Sequence, residues 1–229
     1  MQSGQTRWWW IRHAPVPDGG RIYGQSDLDC DCTDAAIFST LARELPQGAV
    51  WVTSNLARTR QTAAAILAAA VEGRHAGIEP LAIPDLAEQH LGAWQGMDRK
   101  PFYAERKVGT HTLWFGPADE RPPGGESFVD LFDRVRPVIE RLNAEHRGRD
   151  IVAVTHGGTI KVAVALALGL EPQAALSFLV ENCSITKLDY LHPEGAPGFW
   201  RVSAVNHRPW SKAGTVLDAV GNPIQVDRV

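Results

Sequence analysis

The sequence predicts an α/β protein, a three-layer α/β/α sandwich around a mostly parallel central sheet. Three observations predict it. Residues 8–11, 49–52 and 151–154 are unbroken apolar runs, as expected of strands covered on both faces. The second and third runs pass within a few residues into alanine-rich stretches with strong helix propensity. Successive strand–helix units with right-handed crossovers place their strands parallel in one sheet.

The first strand, Trp8-Trp9-Trp10-Ile11, stops on Arg12-His13. Pro15, Pro17, Gly19 and Gly20 then forbid a regular element. A cation and an imidazole therefore sit where a central strand leaves its sheet, which in open parallel sheets is the ligand-binding edge. The loop 14–32 is rich in Gly, Pro and Asp, and loops of this length in compact domains are commonly functional. Arg21, Tyr23, Gly24 and Gln25 are its candidates to line a pocket above His13.

Thr33 is the expected cap of a helix over 34–45, which places Ile37, Leu41 and Leu45 on one face. The second strand, 49–53, ends at Ser54-Asn55, either of which can cap a helix over 56–71. Arg58 falls in that helix's first turn, against the dipole preference, which suggests a nearby anion. Arg60 should point away as a surface charge. After a polar connection at 72–77, residues 78–83 read as a short strand, weakened or placed at an edge by Pro80.

Residues 85–96 put Asp85, Glu88, two glycines and Trp94 in an irregular segment. Trp94 reads as core or pocket wall. Residues 97–124 form a mixed excursion, lid-like, with Phe102, Trp114 and Phe115. A helix over 126–146 follows, with Pro137 expected to kink it. The third strand, 151–155, ends at His156-Gly157-Gly158 and opens a helix to Leu168, with Gly169 as its C-cap. Lys161 on this helix reads as a surface charge. Residues 185–191 and 200–206 are two closing strands, and 209–229 form a polar tail. The chain 1–229 is read as a single domain.

Composition narrows the function. A net charge of −3 supplies no field for nucleic acid. No apolar run approaches a membrane span of about 20 residues. Residues 1–12 lack the features of a signal peptide. Cys30, Cys32 and Cys183 are odd in number and lack zinc spacing, which points to a reduced cytoplasmic setting.

Three strand ends thus bring together Arg12-His13, Ser54 with Arg58, and His156-Gly157. Guanidinium forks, a helix start and bare amides describe an oxyanion site, most naturally for phosphate. Ser54 is equally well a plain helix cap. The zinc, P-loop and dinucleotide signatures are missing from the sequence.

Arg12-His13-Ala14, the segment 54–63, the segment 88–96, Pro123-Gly124-Gly125-Glu126-Ser127 and Thr155-His156-Gly157-Gly158 resemble the histidine phosphatase superfamily, phosphoglycerate mutase-like, in its metal-independent phosphohistidine branch. The resemblance runs from about Trp8 to Leu191 in the right order. Tyr23-Gly24-Gln25-Ser26-Asp27 is closer to the phosphatases, such as α-ribazole phosphatase, than to glycolytic mutases. Two departures stand out: Ala14 replaces the usual glycine, and Gly19 stands where many members place an asparagine.

The resemblance implies a phosphomonoesterase that needs no cofactor or metal and acts on a small phosphorylated metabolite. His13 is its implied nucleophile, kept neutral by Arg12 and Arg58. Arg12, Arg58, His156 and the Gly157 amide would hold the phosphoryl oxygens. Tyr23, Gly24 and Gln25 would supply further substrate contacts. Glu88 is the implied acid and base, with Asp85 its rival. A phosphomutase and a non-catalytic phospho-ligand module are the alternatives. The expected partner is a small phosphate ester, without nucleic acid or membrane, and a homodimer is left open.

Overall fold

The structure, a computed structural model, describes residues 4–71, 73–106, 114–210, 216–217 and 223–224. The expectations for Glu72, for 107–113 and for most of the tail therefore lie outside the described residues. One sheet is built from β1 (Gly4–Arg12), β2 (Val50–Thr53), β3 (Leu81–Ala82), β4 (Asp150–Thr155), β5 (Ile185–His192) and β6 (Phe199–His207). Their spatial order is β3-β2-β4-β1-β5-β6. The first four strands in that order are parallel, and β5 and β6 join antiparallel. Val216–Leu217 and Pro223–Ile224 form a separate two-stranded pair, β7 and β8.

Alternation along β1 divides the core. Trp8 and Trp10 enter one apolar cluster with their rings stacked at 4.7 Å, while Ile11 enters the other. The Trp8 face is covered by α4 (Phe128–Glu145), α5 (Gly157–Leu168) and α6 (Pro172–Ala175), and the Ile11 face by α1 (Ala35–Glu44) and α2 (Ala57–Ala68). This is the three-layer α/β/α arrangement. Between α2 and α4 the chain makes α3 (Arg99–Glu105). No helix of the described residues is long and apolar enough to cross a membrane.

Several boundaries differ from expectation. Asp34, not Thr33, caps α1, accepting from the amides of Ala36 and Ile37, while Thr33 hydrogen-bonds Asp31. Helix α2 starts after Leu56, which offers no side-chain cap, and ends at Ala68 rather than 71. Strand β3 keeps only two residues at the sheet edge, because Pro80 has no N–H to donate. Helix α4 begins at Phe128 because Ser127 and Asp130 form a reciprocal capping box, and it continues through Pro137 to Glu145. Gly169 closes α5 in the left-handed conformation, as expected.

The register brings the carboxyl ends of β1, β2 and β4 to one edge. Arg12 pairs with Thr155, and Thr53 pairs with Val154. Whatever follows each strand therefore meets the others.

Candidate active site

His13 lies one residue past β1 and is 1% exposed. Its amide donates to Thr155 O (2.9 Å), and its carbonyl accepts from Asn182 Nδ2 (2.7 Å). Ala14 N donates to Thr62 Oγ1 on α2 (2.8 Å). The backbone is thus fixed from β4, from the loop before β5 and from α2. Nδ1 of His13 stands 2.7 Å from Ala14 O. A carbonyl only accepts, so Nδ1 carries the proton and Nε2 keeps its lone pair. Burial, then Arg12, then Arg58 hold the ring well below its ordinary 6.5, against the Ala14 bond. Burial outranks the two arginines, although the sequence pointed to them alone.

Arg12 donates from Nη1 to Val180 O (2.7 Å), and its Nε is buried without a hydrogen-bond partner. The guanidinium lies beside Gly157, where an added Cβ would be 3.6 Å from Nε. A guanidinium beside the amide of a helix start is the chemistry that suits an anion.

Arg58 and His156 form a buried pair behind this position. Arg58 is fully buried and donates from Nη1 to Ser26 O (2.8 Å), from Nη2 to Gly24 O (2.6 Å) and from Nε to His156 Nδ1 (3.3 Å). With Nδ1 accepting, His156 presents its Nε2 proton to Ser54 Oγ (2.8 Å). Burial, then Arg58, hold His156 well below its ordinary value. Both ring nitrogens of His156 are thus engaged within the protein, Nδ1 by Arg58 and Nε2 by Ser54. Arg58 likewise has three of its five N–H groups engaged on the Tyr23–Ser26 loop and on His156. Ser54, expected to be a cap or a site residue, orients His156 and also accepts from Leu56 N (3.2 Å). The rings of His13 and His156 lie 5.3 Å apart.

Glu88 is 9% exposed. Its carboxyl accepts from Gly158 N (3.2 Å) and Gln89 N (3.0 Å) and faces the same cleft as Arg12 and Gly157. A Cβ on Gly158 would stand 2.2 Å from Glu88 Oε1, so glycine at this position is what lets the acid approach the helix start. The segment bearing Glu88 is fixed from behind. Arg134 Nη2 donates to Glu88 O (3.2 Å), and Glu126 N donates to His90 O (2.7 Å). Gly92 and Gly125 touch backbone to backbone, and a Cβ on Gly92 would meet Pro123 O at 2.2 Å. This explains the Pro-Gly-Gly-Glu-Ser run: it seats the acid and then caps α4. Asp85 is exposed in a groove on the other side, with His90 and Glu126, and does not reach the cleft.

Tyr23 lines the cleft, its ring 6.3 Å from His13 and 5.0 Å from the Arg58 Cζ. Gly24 has φ +45°, and an added Cβ would stand 2.6 Å from Gln95 Oε1. Gln25 turns away from the cleft, because its Nε2 donates to Glu88 O (2.8 Å); it supports the acid instead of lining the pocket. Arg21 is exposed and makes an isolated bridge to Asp98. Gly19 sits in an exposed turn at φ +63°. Arg60 is exposed, as expected. Trp94 packs on Phe102 at 5.2 Å, as core.

The cleft encloses about 450 Å³. Sequence reasoning missed Asp18, Arg99 and Tyr103 in its wall, while it expected Trp114 and Phe115 in a lid-like segment. Asp18 pairs with Arg99 (2.6 Å) across the cleft, and Tyr103, Trp114 and Phe115 from the 97–124 excursion roof it. Asn182 also lines it. Lys161, expected on the surface, is 5% exposed and lines it too. No cluster of three or more His, Cys, Asp or Glu able to hold a metal lies among the described residues.

A family model described as histidine phosphatase superfamily (branch 1) matches residues 4–203. A probable phosphoglycerate mutase GpmB of Serratia proteamaculans is 25% identical over 229 residues, covering 99% of this chain and 93% of that protein. A glucosyl-3-phosphoglycerate phosphatase of Mycolicibacterium vanbaalenii is 36% identical over 166 residues, covering 66% of this chain and 68% of that one. The native structure of a mycobacterial glucosyl-3-phosphoglycerate phosphatase superposes with a TM-score of 0.73 at 27% identity, covering 89% of this chain and 99% of that chain.

Proposed function

Because the chain belongs to the histidine phosphatase superfamily (branch 1), we propose that it hydrolyses small phosphate monoesters through a phosphohistidine at His13. The observation that carries this is the 2.7 Å approach of His13 Nδ1 to Ala14 O, an acceptor that places the ring proton on Nδ1, beside the Arg12 guanidinium, whose Nε has no partner. A neutral imidazole with a free Nε2 lone pair next to an unmet cationic donor suits attack on a phosphoryl dianion.

In the first step the His13 Nε2–P bond forms and the P–O bond to the leaving group breaks. Glu88, entering with a proton, delivers it to the leaving oxygen. In the second step Glu88 takes a proton from water as the water oxygen attacks phosphorus. The N–P bond breaks, inorganic phosphate leaves, and His13 returns to its starting tautomer. Arg12 and the Gly157 amide offset charge on the equatorial oxygens. Arg58 aligns the Tyr23–Ser26 loop and adds positive potential from behind, and His156, held by Ser54, fixes Arg58. Tyr103, Trp114 and Phe115 roof the cleft of a single catalytic domain.

His13→Ala should abolish hydrolysis of an aryl phosphate with the far-UV spectrum unchanged, and the parent should form an acid-labile phosphoenzyme. Excess chelator should leave the rate unchanged. Appreciable hydrolysis by the variant removes the covalent route. The full-length match to a probable phosphoglycerate mutase favours a second reading, phosphoryl return to substrate. Inorganic phosphate released per substrate consumed, against isomer formed, separates the two.

A further inference from the structure

The hydrogen-bond ladder of β1 runs out at the nucleophile. Arg12 O accepts from Cys183 N (2.8 Å), and His13 N donates to Thr155 O (2.9 Å). Main chain therefore holds the peptide before His13 at both ends. The peptide after it, made of the His13 carbonyl and the Ala14 N–H, lies beyond the last paired residues of β1. Two side chains from separate elements complete it. Asn182 Nδ2, in the loop before β5, donates to the oxygen (2.7 Å), and Thr62 Oγ1, on α2, accepts from the N–H (2.8 Å). Thr62 is fully buried and gives its hydroxyl proton to Arg58 O (2.7 Å), so a lone pair faces Ala14.

A peptide unit is planar, so turning it carries its oxygen and its N–H together. Bonds at both ends stop that rotation and fix ψ of His13 and φ of Ala14. The ψ of Ala14 is restricted separately, because Pro15 follows and disfavours helical backbone at the residue before it. These angles set the direction of Ala14 O, and Ala14 O decides which nitrogen of His13 carries the proton. We propose that Thr62 and Asn182 are positioning residues for the reaction: by clamping the 13–14 peptide they keep the His13 proton on Nδ1 and the lone pair on Nε2. Each acts through His13. A ring released from the clamp shares its proton between the two nitrogens, and a ring protonated at Nε2 has no lone pair to offer there. The effect on rate rests on the phosphohistidine reading of the same site.

Thr62→Val removes the acceptor at nearly constant volume, and Asn182→Ala removes the donor from a residue in the cleft wall. Three quantities are read in each variant. They are the single-turnover rate of phosphoenzyme formation from an aryl phosphate, inhibition by inorganic phosphate, and the ring-nitrogen NMR signals of His13, assigned by their loss in His13→Ala. Phosphoenzyme formation should slow by about tenfold or more, while phosphate affinity stays within about threefold of the parent. Part of the His13 proton should appear on Nε2. Thr62→Ser, which keeps the hydroxyl, should restore most of the rate and the single tautomer. A role confined to satisfying buried groups lowers the unfolding midpoint and leaves the tautomer alone. A smaller loss of rate, or a slowed variant whose His13 proton stays wholly on Nδ1, overturns the proposal. Should Thr62→Val fail to fold, Asn182→Ala decides by itself. A parent that forms no phosphoenzyme removes the covalent reading, and the His13 tautomer in the variants still decides the clamp.

Discussion

Replacing Lys161 by methionine should stabilise the protein at neutral pH. The lysine is pushed from its ordinary 10.5 to about 8, first by burial and then, in the same direction, by Arg12, with Glu88 opposing. A gap of about 2.5, at about 1.36 kcal/mol per pH unit, puts the cost of the buried charge at about 3 kcal/mol at pH 7. Methionine gives up the bond to Leu176 O, a loss of about 1 kcal/mol, and fills a similar volume with apolar atoms. The net gain is about 2 kcal/mol. It is fully present below pH 8, shrinks as pH rises, and disappears above about 10.5, where the lysine is neutral in both folded and unfolded chains. Urea unfolding of parent and variant at pH 7 and pH 10 measures the difference directly. A variant less stable than the parent at pH 7, or a difference independent of pH, would refute the account of Lys161 as a buried, unmatched charge. A stabilised variant with weakened turnover is the usual trade between a site and its scaffold.

Three further outcomes follow from the site. His13 and His156 are both held well below 6.5, chiefly by burial, so unfolding lets each take up a proton. Stability should be complete above about pH 6.5 and fall by up to about 1.4 kcal/mol per pH unit per ring below it; a urea midpoint unchanged from pH 7.5 to 5.5 contradicts this. Gly158→Ala should displace the Glu88 carboxyl and, like Glu88→Gln, slow alkyl phosphates by about 10²–10⁴-fold. Aryl phosphates, with better leaving groups, should be slowed less in a stopped-rate comparison, and equal slowing would deny Glu88 the acid role. Asp85→Asn should leave kcat/KM within about twofold, because its exposed carboxyl faces another groove; a large loss would restore Asp85 as the acid.

The strand ends were legible because buried parallel strands announce themselves as apolar runs and parallel register forces their carboxyl ends together. That sufficed to bring Arg12, His13, Arg58, His156 and Gly157 to one place, whereas Glu88, in an irregular segment, is reached only through the family resemblance. Helix faces were less legible. Helix α5 is covered nearly all round, so a lone lysine among alanines and valines looked like a solvent face when it pointed into the cleft. Local competition hid other details: Asp31 engages Thr33, so the cap falls to Asp34. Gln25 and Tyr23 are two residues apart in one loop, and only the fold shows that one supports the acid while the other lines the pocket. The cleft wall from Tyr103, Trp114 and Phe115 carries no periodicity that assigns it a place.

The seam at Gly92 and Gly125 limits how this molecule can change over generations. Two stretches of main chain press together there with no room for a methyl group, so a substitution at either wedges the acid away from phosphorus. Tyr103, Trp114 and Phe115 in the roof, and Pro15 to Asp18 beside it, include no glycine held in this way. Descendants of this gene can therefore drift in what they accept while the reaction they perform stays put.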